Sequence, residues 1–367
     1  MRAADDNPPS LQFSLRTFLI FVALVTCLLS VGIILANRAR EQSRVNQCAS
    51  SMRTIGISVL NYETVFRVFP AAAPSCTTEA WLSTGIENGQ TCVGPNWAVK
   101  ILGQLDEVTL ARDLKRAIVP PLMSAVDFDN PELSRRIPAE FNCPASARGT
   151  LIHKSDRTQL HDLAKGNYAV CLGATTYVES IEGNEVVDAL LSQTLGERNL
   201  NRERGICTVR MITRWRERDP NTRLTASKGD WLWALGTGTR VADISDGLSK
   251  TALLSEVNPI ARGSSAMDDI RGAYMTASMG ASTYSHRTLP NSDSPDCING
   301  CDIHATGRMR CIEISQTGTS SGDTFAAARS GHEDGVNVAF GDASVRFIGD
   351  DVSPKVWRAL ATRSASD

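Results

Sequence analysis

The residues with chemistry to offer lie in three places. The first is "HEDGVNVAFGDASVRFI", residues 332–348, which opens on His332 with Asp334 close behind and Asp342 further on. A histidine beside a carboxylate is a general-base pair, and a serine or cysteine set against it would complete a nucleophilic triad. No G-x-S-x-G elbow is present, and Ser330-Gly331-His332 is not one. The expected roles are structural: His332 caps or hydrogen-bonds the loop entering a hairpin, and Asp342 shapes the turn. The second place is Asp243-x2-Asp246-Gly247 with Glu256, carboxylates of the kind that hold calcium. The pattern fails the D-x-D-x-D-G-x5-E spacing of an EF-hand. A loop calcium site of Asp243, Asp246 and Glu256 is one expectation; an Asp bonding its own turn backbone is the simpler one. The third place is the set of ten cysteines.

Other cofactor signatures are missing. There is no H-E-x-x-H, and Cys297-x3-Cys301-x9-Cys311 is not a standard zinc spacing. The five histidines, at 153, 161, 286, 304 and 332, are scattered, and no glycine-rich phosphate loop appears. Cys27 sits in an apolar run, which leaves nine others: Cys48, Cys76, Cys92, Cys143, Cys171, Cys207, Cys297, Cys301 and Cys311. Nine is odd, so at least one stays unpaired within the chain. Buried free thiols are one reading; a few disulfides in an oxidising compartment is the preferred one.

The chain's 367 residues suffice for one large or two ordinary domains. Hydrophobic content of 42% and charged content of 21% predict a folded core. A net charge of −2, with no long Lys/Arg run, gives no footprint for nucleic acid.

Residues 17–36, TFLIFVALVTCLLSVGIILA, hold no charge, and thirteen of the twenty are Leu, Ile, Phe or Val. Twenty residues at about 1.5 Å each give roughly 30 Å, the thickness of a bilayer's hydrocarbon core. The thirteen favour insertion by roughly 4–8 kcal/mol. A cleaved signal peptide has a shorter core and an A-x-A-like exit, and Leu35-Ala36-Asn37-Arg38 is a poor one. A lipoprotein signal at Leu24-Val25-Thr26-Cys27 would not be followed by nine further positions of apolar character. An uncleaved anchor fits best, ahead of a buried core helix. Arg38, Arg40, Arg44 and Arg53 after the span would by themselves place the bulk of the chain in the cytoplasm. The cysteine content points the other way.

Beyond the span, Val45, Cys48, Met52, Ile55, Val59, Tyr62 and Phe66 recur in steps of three and four, one stripe of a helix. Phe69-Pro70 should end it. One helix is thus expected from Ser14 to Val68, embedded in lipid first and packed on a domain second. A two-stranded coiled coil could use the same stripe.

Further on, 70–100 reads as loop, Trp97–Leu114 as helix, 129–144 as Pro-rich loop and Asn167–Leu172 as strand. Residues 180–230 read as an irregular insertion with a helix near Val186–Leu195. Thr251–Val257 reads as strand after an Asp246-Gly247 turn, and 285–323 as loop. Val336–Phe340 and Val345–Ile348 alternate apolar with polar or small residues, which predicts a hairpin with one buried face. Pro354–Ala361 closes the chain as a helix. The fold class is α+β.

Four stretches together carry a resemblance. They are Asn46–Gly56 running through Asn61-Tyr62 to Phe69-Pro70; Phe141-Asn142-Cys143-Pro144 with Asn167-Tyr168; Asp243–Thr251 with Glu256; and His332, nine residues, then Asp342, with a Trp357–Arg363 tail. In this order they resemble the prepilin-type, H-X9-DG family, domain of unknown function 1559. The resemblance picks out Cys143, Asn167, Tyr168, Asp246, Gly247, His332, Gly335 and Asp342 as family-motif residues. It implies a pilin-like or pseudopilin-like architecture: a cytoplasmic N-terminus at 1–13, a helix over 14–68 spanning the membrane at 17–36, and a loop-rich antiparallel-sheet domain at 69–367 outside the cytoplasmic membrane. It implies no enzymatic activity. This chain departs from the pattern at Gln12-Phe13-Ser14-Leu15-Arg16-Thr17, where members carry Gly-Phe-Thr-Leu-Ile-Glu, and at Ala343, where they carry glycine. An alanine there should keep the turn out of glycine-only geometry.

The function expected is that of a membrane-anchored, non-catalytic structural or interaction protein of the cell envelope. Its partners would be the inner membrane and other pilin-like subunits. The alternative is an anchored binding module for carbohydrate or envelope polymer, working through the loops at 70–95 and 285–325; a His332 hydrolase trails both.

Overall fold

The computed structural model describes residues 15–75, 96–117, 131–146, 151–155, 160–177, 179–182, 200–211, 238–260, 268–276, 278–314 and 324–365. The helix expected at Val186–Leu195 and the cysteines Cys76 and Cys92 lie outside them. The chain divides into two compact units, Met1–Arg44 and Val45–Asp367. One helix, α1 (Leu15–Phe66), contributes to both.

In the first unit α1 is long and apolar enough to cross a membrane by length and composition, and none of its most apolar stretch is buried. Two of its hydroxyls bond within the helix: Thr26 Oγ1 donates to Ala23 O at 2.9 Å and Ser30 Oγ to Thr26 O at 2.8 Å. Internal bonding of this kind is what a polar group in lipid requires.

In the second unit the remainder of α1 lays its stripe on the domain. Cys48, Met52, Ile55, Val59 and Tyr62 are all fully buried. Burying each of the aliphatic ones is worth roughly 1.5–3 kcal/mol. The domain therefore occupies the surface that a coiled coil would have used. The helix ends at Phe66, ahead of Pro70, because Arg67 turns left-handed at φ 61° and Phe69 N donates to Thr239 O at 2.8 Å.

In chain order the strands are β1 (Ala73–Ser75), β2 (Leu151–Ser155), β3 (Leu160–Lys165), β4 (Tyr168–Cys171), β5 (Ile181–Glu182), β6 (Val209–Met211), β7 (Ala252–Glu256), β8 (Thr283–Tyr284), β9 (Asp296–Ile298), β10 (Cys311–Glu313), β11 (Gly335–Phe340) and β12 (Val345–Gly349). The main sheet has the order β12-β11-β7-β4-β8 and is antiparallel except at β8, which runs parallel to β4. β1-β6-β5 and β9-β10 are small parallel sheets, and β2-β3 is an antiparallel pair.

Register sorts the side chains of the main sheet into two faces. Tyr168 pairs with Glu256, Ala169 with Ser255 and Val338 with Ser255, so Tyr168, Glu256 and Asn337 stand in one row across β4, β7 and β11. With period-two alternation, Val170, Leu254 and Ala339 share their face, and all three join the core that contains the α1 stripe. The other face carries Ala169, Val336, Val338 and Phe340 against Trp357 and Ala361 of the closing helix, Pro354–Ala361. That helix is capped by Ser353, whose Oγ accepts from Val356 N at 3.3 Å. Its Trp357 stacks on His286 with ring centroids 3.5 Å apart.

Several expectations need correction. β11 is buried on both faces, and polar Asn337 is only 1% exposed. The expected helix Trp97–Leu114 is interrupted. A short helix at Trp97–Lys100 passes into a 3-10 turn at Leu102–Leu105, Asp106 turns left-handed at φ 60°, and a second helix begins at Val108. The loop at 285–323 holds β9, β10 and a Cys301–Cys311 disulfide. The insertion at 180–230 supplies β5 and β6. These strands are two or three residues long and pair with distant segments, so no local alternation announces them. The turn after β11 does use positive φ: Ala343 sits at 62°.

Candidate functional site

The row Tyr168, Glu256, Asn337 faces α1 where Cys48 ends the buried stripe. Cys48 is bonded to Cys143 in a disulfide closing a separation of 95 residues. In the chain-entropy account a crosslink of about that span contributes roughly 4.7 kcal/mol. Around it the backbone is tied to side chains: Tyr168 Oη donates to Cys48 O at 3.2 Å, and Cys143 N donates to Asn167 Oδ1 at 2.9 Å. Burial, with the charge of Glu256, pushes the Tyr168 phenol well above its ordinary pKa, which keeps it a donor.

His332 comes to the same place from the loop before β11. Its Nε2 lies 3.2 Å from Glu256 Oε1 and 3.6 Å from Cys143 Sγ. Cys143 Sγ is also 3.8 Å from Glu256 Oε1; as a disulfide sulfur it has no proton to give, so this is contact only. Asn337 holds the carboxylate from the other side: its N donates to Glu256 Oε2 at 2.8 Å and its Nδ2 to Oε1 at 3.2 Å. Phe347 of β12 meets the His332 ring edge-on at 6.3 Å. Cys48, Cys143, Glu256 and His332 are buried, and one ligand-type atom from each lies within 4.8 Å of all the others. Among the described residues this is where sulfur, nitrogen and carboxylate oxygen converge closely enough to share an ion.

The structure thus gathers Cys143, Asn167, Tyr168 and His332 and adds Cys48 and Glu256. The carboxylate on His332 is neither Asp334 nor Asp342. Asp342 is exposed in the β11–β12 turn, where Oδ1 accepts from Ser344 N at 2.9 Å and Ser344 Oγ at 2.6 Å. Gly335 begins β11, and its carbonyl accepts from Asn291 Nδ2 at 3.1 Å and Ser330 Oγ at 2.6 Å. The calcium set does not converge. Asp243 is engaged by Arg240 at 2.8 Å, Asp246 Oδ2 accepts from Ala365 N at 2.8 Å beside Gly247 at φ 95°, and Glu256 belongs to His332 and Asn337. Glu256 had one local signal, a charge closing an otherwise uncharged buried strand. Cys48 had another, a thiol on the face of α1 that packs inward.

Another buried polar grouping is saturated. Asp269, Arg271, Asp296 and Arg329 interlock at 2.7–3.1 Å. Burial pushes the Cys171 thiol up to about 12 and Cys207 further, so neither is poised for chemistry.

An N-terminal apolar helix continuing into a disulfide-stapled α+β domain fits a membrane-anchored envelope protein. The chain belongs to the family described as "Protein of unknown function (DUF1559)", whose model matches residues 37–355. No curated protein and no solved structure matches it.

Proposed function

We propose that the chain is a non-catalytic structural or interaction protein of the cell envelope, pseudopilin-like in organisation, with Val45–Asp367 outside the cytoplasm. The observation that carries this reading is the division of α1. Its most apolar stretch is unburied, and its continuation from Val45 supplies core to the domain. Among the described residues the disulfides Cys48–Cys143 and Cys301–Cys311 favour an oxidising compartment. His332 lies against a disulfide sulfur and a carboxylate, which supplies no thiolate nucleophile. Lateral association through the exposed apolar side chains, such as Phe18, Leu24 and Leu28, would join copies or related pilin-like helices.

The test combines a C-terminal topology reporter with crosslinking from positions 15–35 in membranes. The expected result is an extracytoplasmic reporter, retention of the chain in membranes after an alkaline wash, and crosslinks to copies or to pilin-like chains. A cytoplasmic reporter, or release by the wash, would overturn the reading.

A further inference from the structure

We propose that the Cys48/Cys143/His332/Glu256 cluster is a two-state site: a disulfide when oxidised, and a tetrahedral site for a thiophilic divalent cation of the zinc class when reduced. Two thiolates, an imidazole and a carboxylate are a donor set that zinc accepts, with bonds of about 2.3 Å to sulfur and about 2.0–2.2 Å to nitrogen and oxygen. Four such ligands stand roughly 3.3–3.8 Å apart around the ion. Here the nearest imidazole and carboxylate atoms are 3.2 Å apart, His332 Nε2 is 3.6 Å from Cys143 Sγ, and all four ligand atoms fit within 4.8 Å.

A disulfide alone would not need its neighbours. Burying a histidine and a glutamate beside it costs desolvation that apolar side chains would avoid. Both nevertheless turn their polar atoms towards the sulfurs. The outer contacts are those of a metal site. Asn337 fixes both oxygens of Glu256, and Phe347 packs against the His332 ring. Tyr168 and Asn167 hold the backbone of the two cysteines.

The interconversion balances. A dithiol reductant passes two electrons and two protons to the Cys48–Cys143 bond and leaves as its own disulfide. The cation then takes both sulfurs as thiolates and two protons go to solvent. In the reverse direction a disulfide oxidant takes two electrons from the thiolates and two protons from solvent and leaves as its dithiol, the Cys48–Cys143 bond re-forms and the cation leaves. The two states exclude each other because the S–S bond uses the electrons the cation would bind. A chain folding among reductants would hold metal; the same chain in an oxidising compartment would hold the staple.

Cobalt(II) is the probe, since thiolate-to-cobalt charge transfer and tetrahedral d–d bands report the ligand set. The full chain, in detergent micelles without oxygen, is reduced with a dithiol that is then removed. The expected result is one tetrahedral cobalt with thiolate ligation per reduced chain and none in the oxidised chain. Cys48→Ser with Cys143→Ser should abolish the bands, and Cys301→Ser with Cys311→Ser should leave them intact. His332→Gln and Glu256→Gln, each first checked by circular dichroism for a native oxidised fold, should weaken cobalt binding at least ~10-fold, the lower end of what even an outer-shell partner is worth. If the reduced chain unfolds, cobalt or zinc should restore its structure. No tetrahedral cobalt, bands that survive loss of Cys48 and Cys143, or a reduced chain that refolds with neither ion would each overturn the proposal.

Discussion

Glu256 is the most heavily engaged carboxylate at the domain's helix-facing row, accepting from Asn337 N, Asn337 Nδ2 and His332 Nε2. Removing it takes an acceptor from three buried polar groups together, whereas removing Asp342 frees two groups that water can reach. Glu256→Ala should therefore cost about 3–5 kcal/mol, since each buried donor that loses its acceptor costs about 1–3 kcal/mol. Asp342→Ala should cost about 0.5–1.5 kcal/mol, the scale of ordinary exposed bonds. Urea denaturation of the oxidised chain in micelles measures both; equal costs would mean that the row is not where the polar energy lies.

At the scale of elements, the contact that seats α1 against the β11–β12 turn is Gly56 on Ala343. A Cβ added at Gly56 would lie 3.1 Å from Ala343 Cβ and 3.3 Å from its Cα. Helix propensity alone would favour Gly56→Ala by roughly 1 kcal/mol. Overpacking against a fixed turn costs typically 1–3 kcal/mol, so Gly56→Ala should be net destabilising. Ala343→Gly removes the obstructing methyl and also relieves a left-handed alanine at φ 62°. The double variant should then recover stability beyond the sum of the single effects. A double-mutant cycle on unfolding free energies gives the coupling, and a coupling near zero would mean that helix and turn do not bear on each other.

Across the whole molecule, protonation sets the acid limit. Burial pushes His153 down to about 4, with Lys165 adding to it, and burial pushes His286 down to about 3. Both imidazoles stay neutral in the folded chain well below their ordinary value of 6.5. The unfolded chain protonates them near that value and so binds more protons, which makes stability drop as pH is lowered through that range. The Asp269 carboxyl works in the same direction. Against the upward push of burial, Arg271 holds its pKa below the ordinary 3.8, and that stabilisation is lost as pH falls through the carboxylate range. The thermal unfolding midpoint should fall from pH 6.5 towards 3, and His286→Gln should flatten part of that slope. An unchanged slope in that variant would place the acid sensitivity elsewhere.

By itself the sequence determined what depends on neighbours along the chain. The membrane-length run, the buried stripe of α1 and the strands at 168–171, 252–256 and 335–349 all follow from local periodicity, because a helix face and a strand face are written at fixed spacing. Cys143, Asn167, Tyr168 and His332 were picked out by the family resemblance, among eight motif residues and with no sign that these four would meet. What bound them was not. That Cys143 takes Cys48, that His332 takes Glu256 and not an acid of its own segment, and that Asn337 points inward were decided by strand order and register. The same holds for β9, β10 and the other short parallel strands. Only the folded domain brings positions 48, 143, 256, 332 and 337 together, and no spacing along the chain encodes a distance that exists only after packing.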